Sequence, residues 1–239
     1  MIFPLKIVGA VAQSCYWGDR AIRSDLVEGL IATENDYTSN LAAAIRRQIN
    51  SRAIPDLRAT SYVLKPSVER VLGADACIVL ANAKEFKLCI FEAKWPRFST
   101  NVNCWDSLQR GSGRSHFDEQ IQRQDRLAHS LPTWEMFYSE HPFGEQPSYM
   151  PKYVSACVWH EHASAASKAR ANKNTPWTDN ELIGLLESHA SQIDTLIRDV
   201  CLCLRGQLFS GSNYLATFDN QDIPSEILVI RYNASNLDA

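Results

Sequence analysis

The chain has 239 residues, of which 45% are hydrophobic and 10% aromatic, enough for one large core, and disorder is not the expectation. A formal net charge of -3 excludes a generally basic nucleic-acid coat but leaves room for a local basic groove. The seven cysteines (Cys15, Cys77, Cys89, Cys104, Cys157, Cys201 and Cys203) include no CxxC pair, so a reducing, cytoplasmic setting fits better than a disulfide framework or zinc knuckle.

The opening MIFPLKIVGAVAQS loosely imitates a leader, yet it has no basic n-region, and Pro4 and Lys6 interrupt its apolar run. No apolar run approaches the length of a membrane span, so no membrane partner is expected. A helix is predicted over about 33–50, capped by Thr33, with acidic residues in its first turn and arginines late. Its inward stripe runs through Tyr37, Leu41 and Ile45, and Glu34 continues that stripe.

A strand follows at about 59–64, then a hairpin of strands 75–80 and 87–95 closed by Asn82-Ala83-Lys84-Glu85. A second helix is expected from 116 to about 130, and a buried strand at 153–159. Residues 161–176 look like a polar loop. Thr178 and Glu181 form a capping box ahead of one long amphipathic helix to about 206. Two strands, 214–218 and 226–232, close the chain. The order argues for an α/β (α+β) fold with a mixed central sheet flanked by helices, and a long C-terminal helix with two strands.

The hairpin loop fixes the register. If 82–85 is the loop, residue 81 pairs with 86, and counting outward sets Asp75 opposite Glu92. Directly opposed side chains share a face, with Cβ atoms about 4.5–5.5 Å apart. Lys94 lies on that face too, two residues beyond Glu92. Two carboxylates so close repel unless a cation intervenes; Lys94 supplies part of the charge, and Mg²⁺ would supply more. Glu34 is the natural third carboxylate if its helix packs across the sheet.

This pattern resembles the PD-(D/E)XK nuclease superfamily, whose core is αβββαβ. Asp75 and Glu92-Ala93-Lys94 match its acidic residue and (D/E)-x-K triplet, and Glu34 its first-helix glutamate. Gln120 matches a glutamine that several members carry on the following helix, and Gln124 lies one turn on. Ala74 stands where the signature has proline. The resemblance spans about 33–159 and implies a restriction-endonuclease-like core; residues 1–160 are read as that core with an N-terminal extension, and 161–239 as a C-terminal helix and strands packed on the same domain. It also implies Mg²⁺ (Mn²⁺ substituting) held by Glu34, Asp75 and Glu92, with Lys94 orienting or activating water for phosphodiester hydrolysis. DNA is the expected substrate, in restriction, phage defence or a toxin, and a homodimer suits cutting both strands; a non-catalytic nucleic-acid- or protein-binding member is the alternative.

Other signals are weaker. Glu85-Phe86-Lys87 fits the same triplet but falls in the turn, without an acidic partner. His160-Glu161-His162 reads as a polar strand exit rather than a metal site, lacking further ligands at a recognisable spacing. Arg97, Arg110, Arg114 and Arg123 flank the proposed site as candidate phosphate contacts, which position a duplex without reading it.

Overall fold

The computed structural model describes residues 1–63, 74–97, 105–218 and 226–234. The N-terminal stretch, unassigned by sequence, is helix α1 (Leu5–Val27), which buries Ile7, Val8, Val11, Cys15, Ile22 and Leu26 at helical spacing. It stops because Gly29 takes φ +75°; Gly29 N–H donates to Leu26 O and Leu30 N–H to Asp25 O, the left-handed cap that glycine permits. α2 (Glu34–Ser51) starts where expected, with the Thr33 hydroxyl accepting from Asp36 N–H.

The strands are β1 (Leu57–Val63), β2 (Ala76–Ala81), β3 (Glu85–Lys94), β4 (Thr133–Phe137), β5 (Ala156–Trp159), β6 (Phe209–Ser210) and β7 (Glu226–Tyr232). With α3 (His116–Ala128), α4 (His160–Ala169), α5 (Asp179–His189) and α6 (Ile193–Cys201) they complete a mixed α/β fold. The open sheet runs β1-β7-β2-β3-β4-β5, and β6 pairs with the start of β3. β2–β7 and β3–β4 are parallel and the remaining pairs antiparallel, so the last strand inserts between the first two.

Strand alternation sorts the core onto two faces. Ile78, Cys89, Phe91, Met136 and Leu228 pack with α1, α2 and α6. Phe137 and Val158 pack with Phe117 and Ile121 of α3 and Leu182 and Leu186 of α5. The buried Lys87 ammonium donates to Val200 O and Arg205 O, a cation set at the C-terminal end of the α6 dipole.

Several expected elements differ. β4 was not foreseen in the sequence, being short and interrupted by Glu135. The polar stretch expected to loop from 161 begins inside α4. The single long helix is two, α5 and α6, because Ser191 breaks it to exchange backbone hydrogen bonds with Cys157 at 2.9 and 2.8 Å. Tyr214–Phe218 is a 3-10 helix, not a strand. Position 64, the expected end of the first strand, and Cys104 lie outside the described residues. Among these residues no helix is long and apolar enough to cross a membrane.

α1 and α2 approach closely at Gly18, where an added Cβ would lie 2.7 Å from Ile45 Cγ1 and 2.9 Å from Ile45 N. Gly18→Ala should therefore destabilise the fold by about 1–3 kcal/mol despite alanine's better helix propensity. Thermal unfolding should show a melting temperature lower by several degrees.

Candidate active site

The hairpin register matches the sequence count: Ala81 pairs with Phe86 and Ala76 with Phe91. Asp75, one residue before β2, donates its N–H to Phe91 O at 3.0 Å. Its Oδ2 accepts from Ala93 N–H at 2.8 Å, so the carboxylate continues the ladder where β2 has no backbone to offer. That pins Asp75 beside Glu92 and Lys94.

Glu92 is only 2% exposed. Its Oε1 accepts from Lys94 Nζ at 2.6 Å and from Gln120 Nε2. Gln120 reaches down from α3, which lies over this face of the sheet. Its own Oε1 is buried and has no hydrogen-bond partner among the described residues. Burial, then the neighbouring Asp75, pushes the Glu92 carboxyl well above its ordinary value. Burial alone would lower Lys94, but Glu92, Glu34 and Asp75 outweigh it and hold the ammonium above its ordinary value.

Glu34 arrives by another route than expected. The inward stripe of α2 packs against the opposite face, with Leu41, Ala42 and Ile45 in the same cluster as Ala76, Ile78 and Phe91. The glutamate sits at the first turn of α2, near the Trp95 backbone at the end of β3. Burial raises its carboxyl, opposed by Lys94.

When ionised, these three carboxylates outnumber the Lys94 ammonium, with Arg97 opposing Glu34 alone, and a divalent cation would balance the excess. Hard oxygen donors and an orphaned amide oxygen suit Mg²⁺, which takes one or two carboxylates and fills its remaining positions with water and phosphate. Among the described residues no group of three or more His, Cys, Asp or Glu is disposed to share a metal ion. The donor set thus fits a two-carboxylate site through Asp75 and Glu92, with Glu34 adding charge from the sheet end.

Of the candidate arginines, Arg97 covers the Trp95 ring at 4.4 Å and its charge reaches Glu34. Arg123 lies on α3, three residues beyond Gln120, with its Nε buried and unpartnered among the described residues. Arg110 and Arg114 stand on the loop ahead of α3, outside the hydrogen-bonded set.

Beside this set, Glu135 escaped the sequence-based reading, and His160 was read as a strand exit. Glu135 pairs with Glu92 across the parallel β3–β4 ladder and is fully buried. Its Oε1 lies 3.1 Å from His160 Nδ1, which is 2.9 Å from Gln124 Oε1; His160 Nε2 is 2.9 Å from Asp125 Oδ1. His160 is the first residue of α4, so His160 and His162 do not share a strand face as their spacing suggested. The lone charge inside the apolar run Trp134–Tyr138 was the available signal for Glu135, the same signal that marks Glu92. A cleft of about 630 Å³ opens beside His160, lined also by Lys168 and Arg205, but Asp75, Glu92 and Lys94 are not in its wall. Donor chemistry, rather than concavity, locates the candidate site.

No protein-family model, no curated protein and no solved structure matches this chain.

Burial lowers the His160 pKa, but the flanking Glu135 and Asp125 carboxylates more than offset it and leave it raised. The raised value in the fold means the ion pairs stabilise fully below about pH 6.5, the ordinary histidine value, and weaken as pH rises through the raised one. His160→Gln should thus cost about 1–3 kcal/mol near pH 6 and progressively less toward pH 9. Melting temperatures of both proteins across that range test it; a pH-independent gap would count against an imidazolium.

Proposed function

We propose that this chain is a metal-dependent nuclease with a restriction-endonuclease-like core, hydrolysing phosphodiester bonds in DNA. The observation that carries the reading is the convergence of Asp75, Glu92 and Lys94 at the end of the β2–β3 hairpin, with Gln120 on Glu92 Oε1. An acid before one strand and acid-x-lysine on its antiparallel neighbour is the order of the PD-(D/E)XK signature. A buried surplus of negative charge has no structural use by itself, since unpaired buried charge is costly.

In this reading Asp75 and Glu92 hold Mg²⁺, or Mn²⁺ in its place, and Glu34 tunes their field. The ion supplies Lewis-acid stabilisation of the charge growing on the phosphate. Lys94, kept charged by its carboxylate neighbours, orients the attacking water and faces the phosphate as a cation. Gln120 fixes the Glu92 rotamer, and Arg97 and Arg123 contact flanking phosphates. A cytoplasmic homodimer acting in restriction, phage defence or as a toxin is consistent with the chain's cysteines, and a formal net charge of -3 leaves room for a local basic groove.

One observation favours a second reading, a non-catalytic binding member of the fold: Glu92 Oε1 is already engaged by both Lys94 and Gln120. Supercoiled plasmid separates the two. The nuclease should nick it with Mg²⁺ or Mn²⁺ and stop with a chelator, and Asp75→Ala and Lys94→Ala should each cut the rate about 100-fold or more. Retained binding without cleavage would favour the binding reading, and unchanged cleavage in both variants would move the activity elsewhere.

A further inference from the structure

α1 carries two arginines about one turn apart, and the fold uses them differently. Arg23 is fully buried and spends its guanidinium on backbone carbonyls. Its Nε donates to Ser139 O at 3.1 Å, Nη1 to Lys152 O at 3.2 Å and Nη2 to His141 O at 2.8 Å. Those bonds tie two separate loop segments to the helix, and each segment brings a ring with it. Phe143 comes two residues after His141, and Tyr153 directly follows Lys152. The two rings meet edge to face, with centroids 5.7 Å apart.

Arg20 is the cation these rings surround. Its Cζ lies 4.6 Å from the Tyr153 ring centroid, 5.0 Å from that of Trp17 and 5.7 Å from that of Phe143. Among the described residues it makes no hydrogen bond and no ion pair, so its N–H edge is unspent. The enclosing rings are not themselves covered: Trp17 is 41% exposed and Tyr153 38%. Large apolar side chains exposed side by side mark a binding surface. The loop that carries Phe143 starts at the candidate active site. Tyr138 N–H donates to Lys94 O at 2.8 Å, and Glu140 Oε2 accepts from Trp95 Nε1 at 2.9 Å. Phe143 is five residues past Tyr138, so the two lie within about 18 Å of each other.

A guanidinium held between ring faces keeps its planar fork of donors for an anion, and that fork matches phosphate oxygens. Exposed aromatic faces beside it accept nucleobases by stacking, whatever the base. In a duplex the base faces are already stacked on one another, so only an unpaired strand offers both groups. We propose that Trp17, Arg20 and Tyr153 form a binding surface for single-stranded DNA, which holds the strand flanking the scissile phosphate; the second part rests on the nuclease reading.

Fluorescence anisotropy of a labelled oligothymidylate of about 20 nucleotides, longer than the sites such surfaces cover, tests the surface with excess chelator present, so that binding is read without cleavage. The wild type should bind it about 10-fold or more tighter than a blunt duplex of the same length. Trp17→Leu and Tyr153→Leu should each weaken binding about 5- to 100-fold, while Trp17→Phe, which keeps a ring, should retain most of the affinity. Arg20→Met should weaken binding and make the slope of log affinity against log salt shallower by about 0.7. Equal affinity for the duplex, or single-strand affinity unmoved in both leucine variants with wild-type thermal unfolding, overturns the surface and leaves the nuclease reading standing. Binding with these dependences by a protein that cuts no DNA once Mg²⁺ is restored keeps the surface and overturns its service to a scissile phosphate.

Discussion

The Glu92 carboxylate is held inside the protein with fewer positive charges around it than negative ones, and most of the neighbouring architecture answers to that. A buried ionised group is costly unless paired and hydrogen-bonded. Lys94, two residues along the same strand face, supplies the pairing, and α3 supplies the Gln120 amide. The Gln120 donor depends on the β3–α3–β4 crossover. Without β4 parallel to β3, the helix would have no reason to cross this face, and Glu92 would lose half of its partners.

The adjoining network keeps this imbalance from growing. Glu135 lies beside Glu92 on the next strand, and its charge also raises the Glu92 carboxyl. His160, set between Glu135 and Asp125, answers that charge locally. The layer under α3 is thereby divided in two. At one end Glu135 has His160 beside it; at the other, Asp75, Glu92 and Glu34 surround Lys94. Among the described residues the second end carries the excess of carboxylates, which favours a cation there.

How far the sequence revealed this depends on the range of the interactions involved. The hairpin was legible because four loop residues set a local register that runs outward to Asp75 and Glu92. The start of α2 was legible because Thr33 caps it through its own side chain. The break between α5 and α6 was hidden, since the apolar stripe continues through it and the cause is a bridge to Cys157, more than thirty residues away. The place of β7, between β1 and β2, was equally invisible; parallel pairing leaves no mark in local periodicity. β4 was overlooked because Glu135 disrupts its apolar pattern, although a buried acid in an apolar run was also the mark of Glu92.

Glu34 shows how the site reaches beyond its hairpin. α2 packs on the face opposite Glu92, so the glutamate reaches the site only by projecting from the helix start around the end of β3. Its position is therefore set by how α2 is held. Gly18 lets α1 press against Ile45, and Tyr37 is tied to Asp19 of α1 at 2.7 Å while stacking on Tyr138 just past β4. Tyr138 N–H donates in turn to Lys94 O at 2.8 Å. A continuous chain of contacts thus runs from α1 through Tyr37 and Tyr138 to the backbone of Lys94. The N-terminal helix, which lies outside the span of the family resemblance, is part of what fixes the distance between the third carboxylate and the lysine.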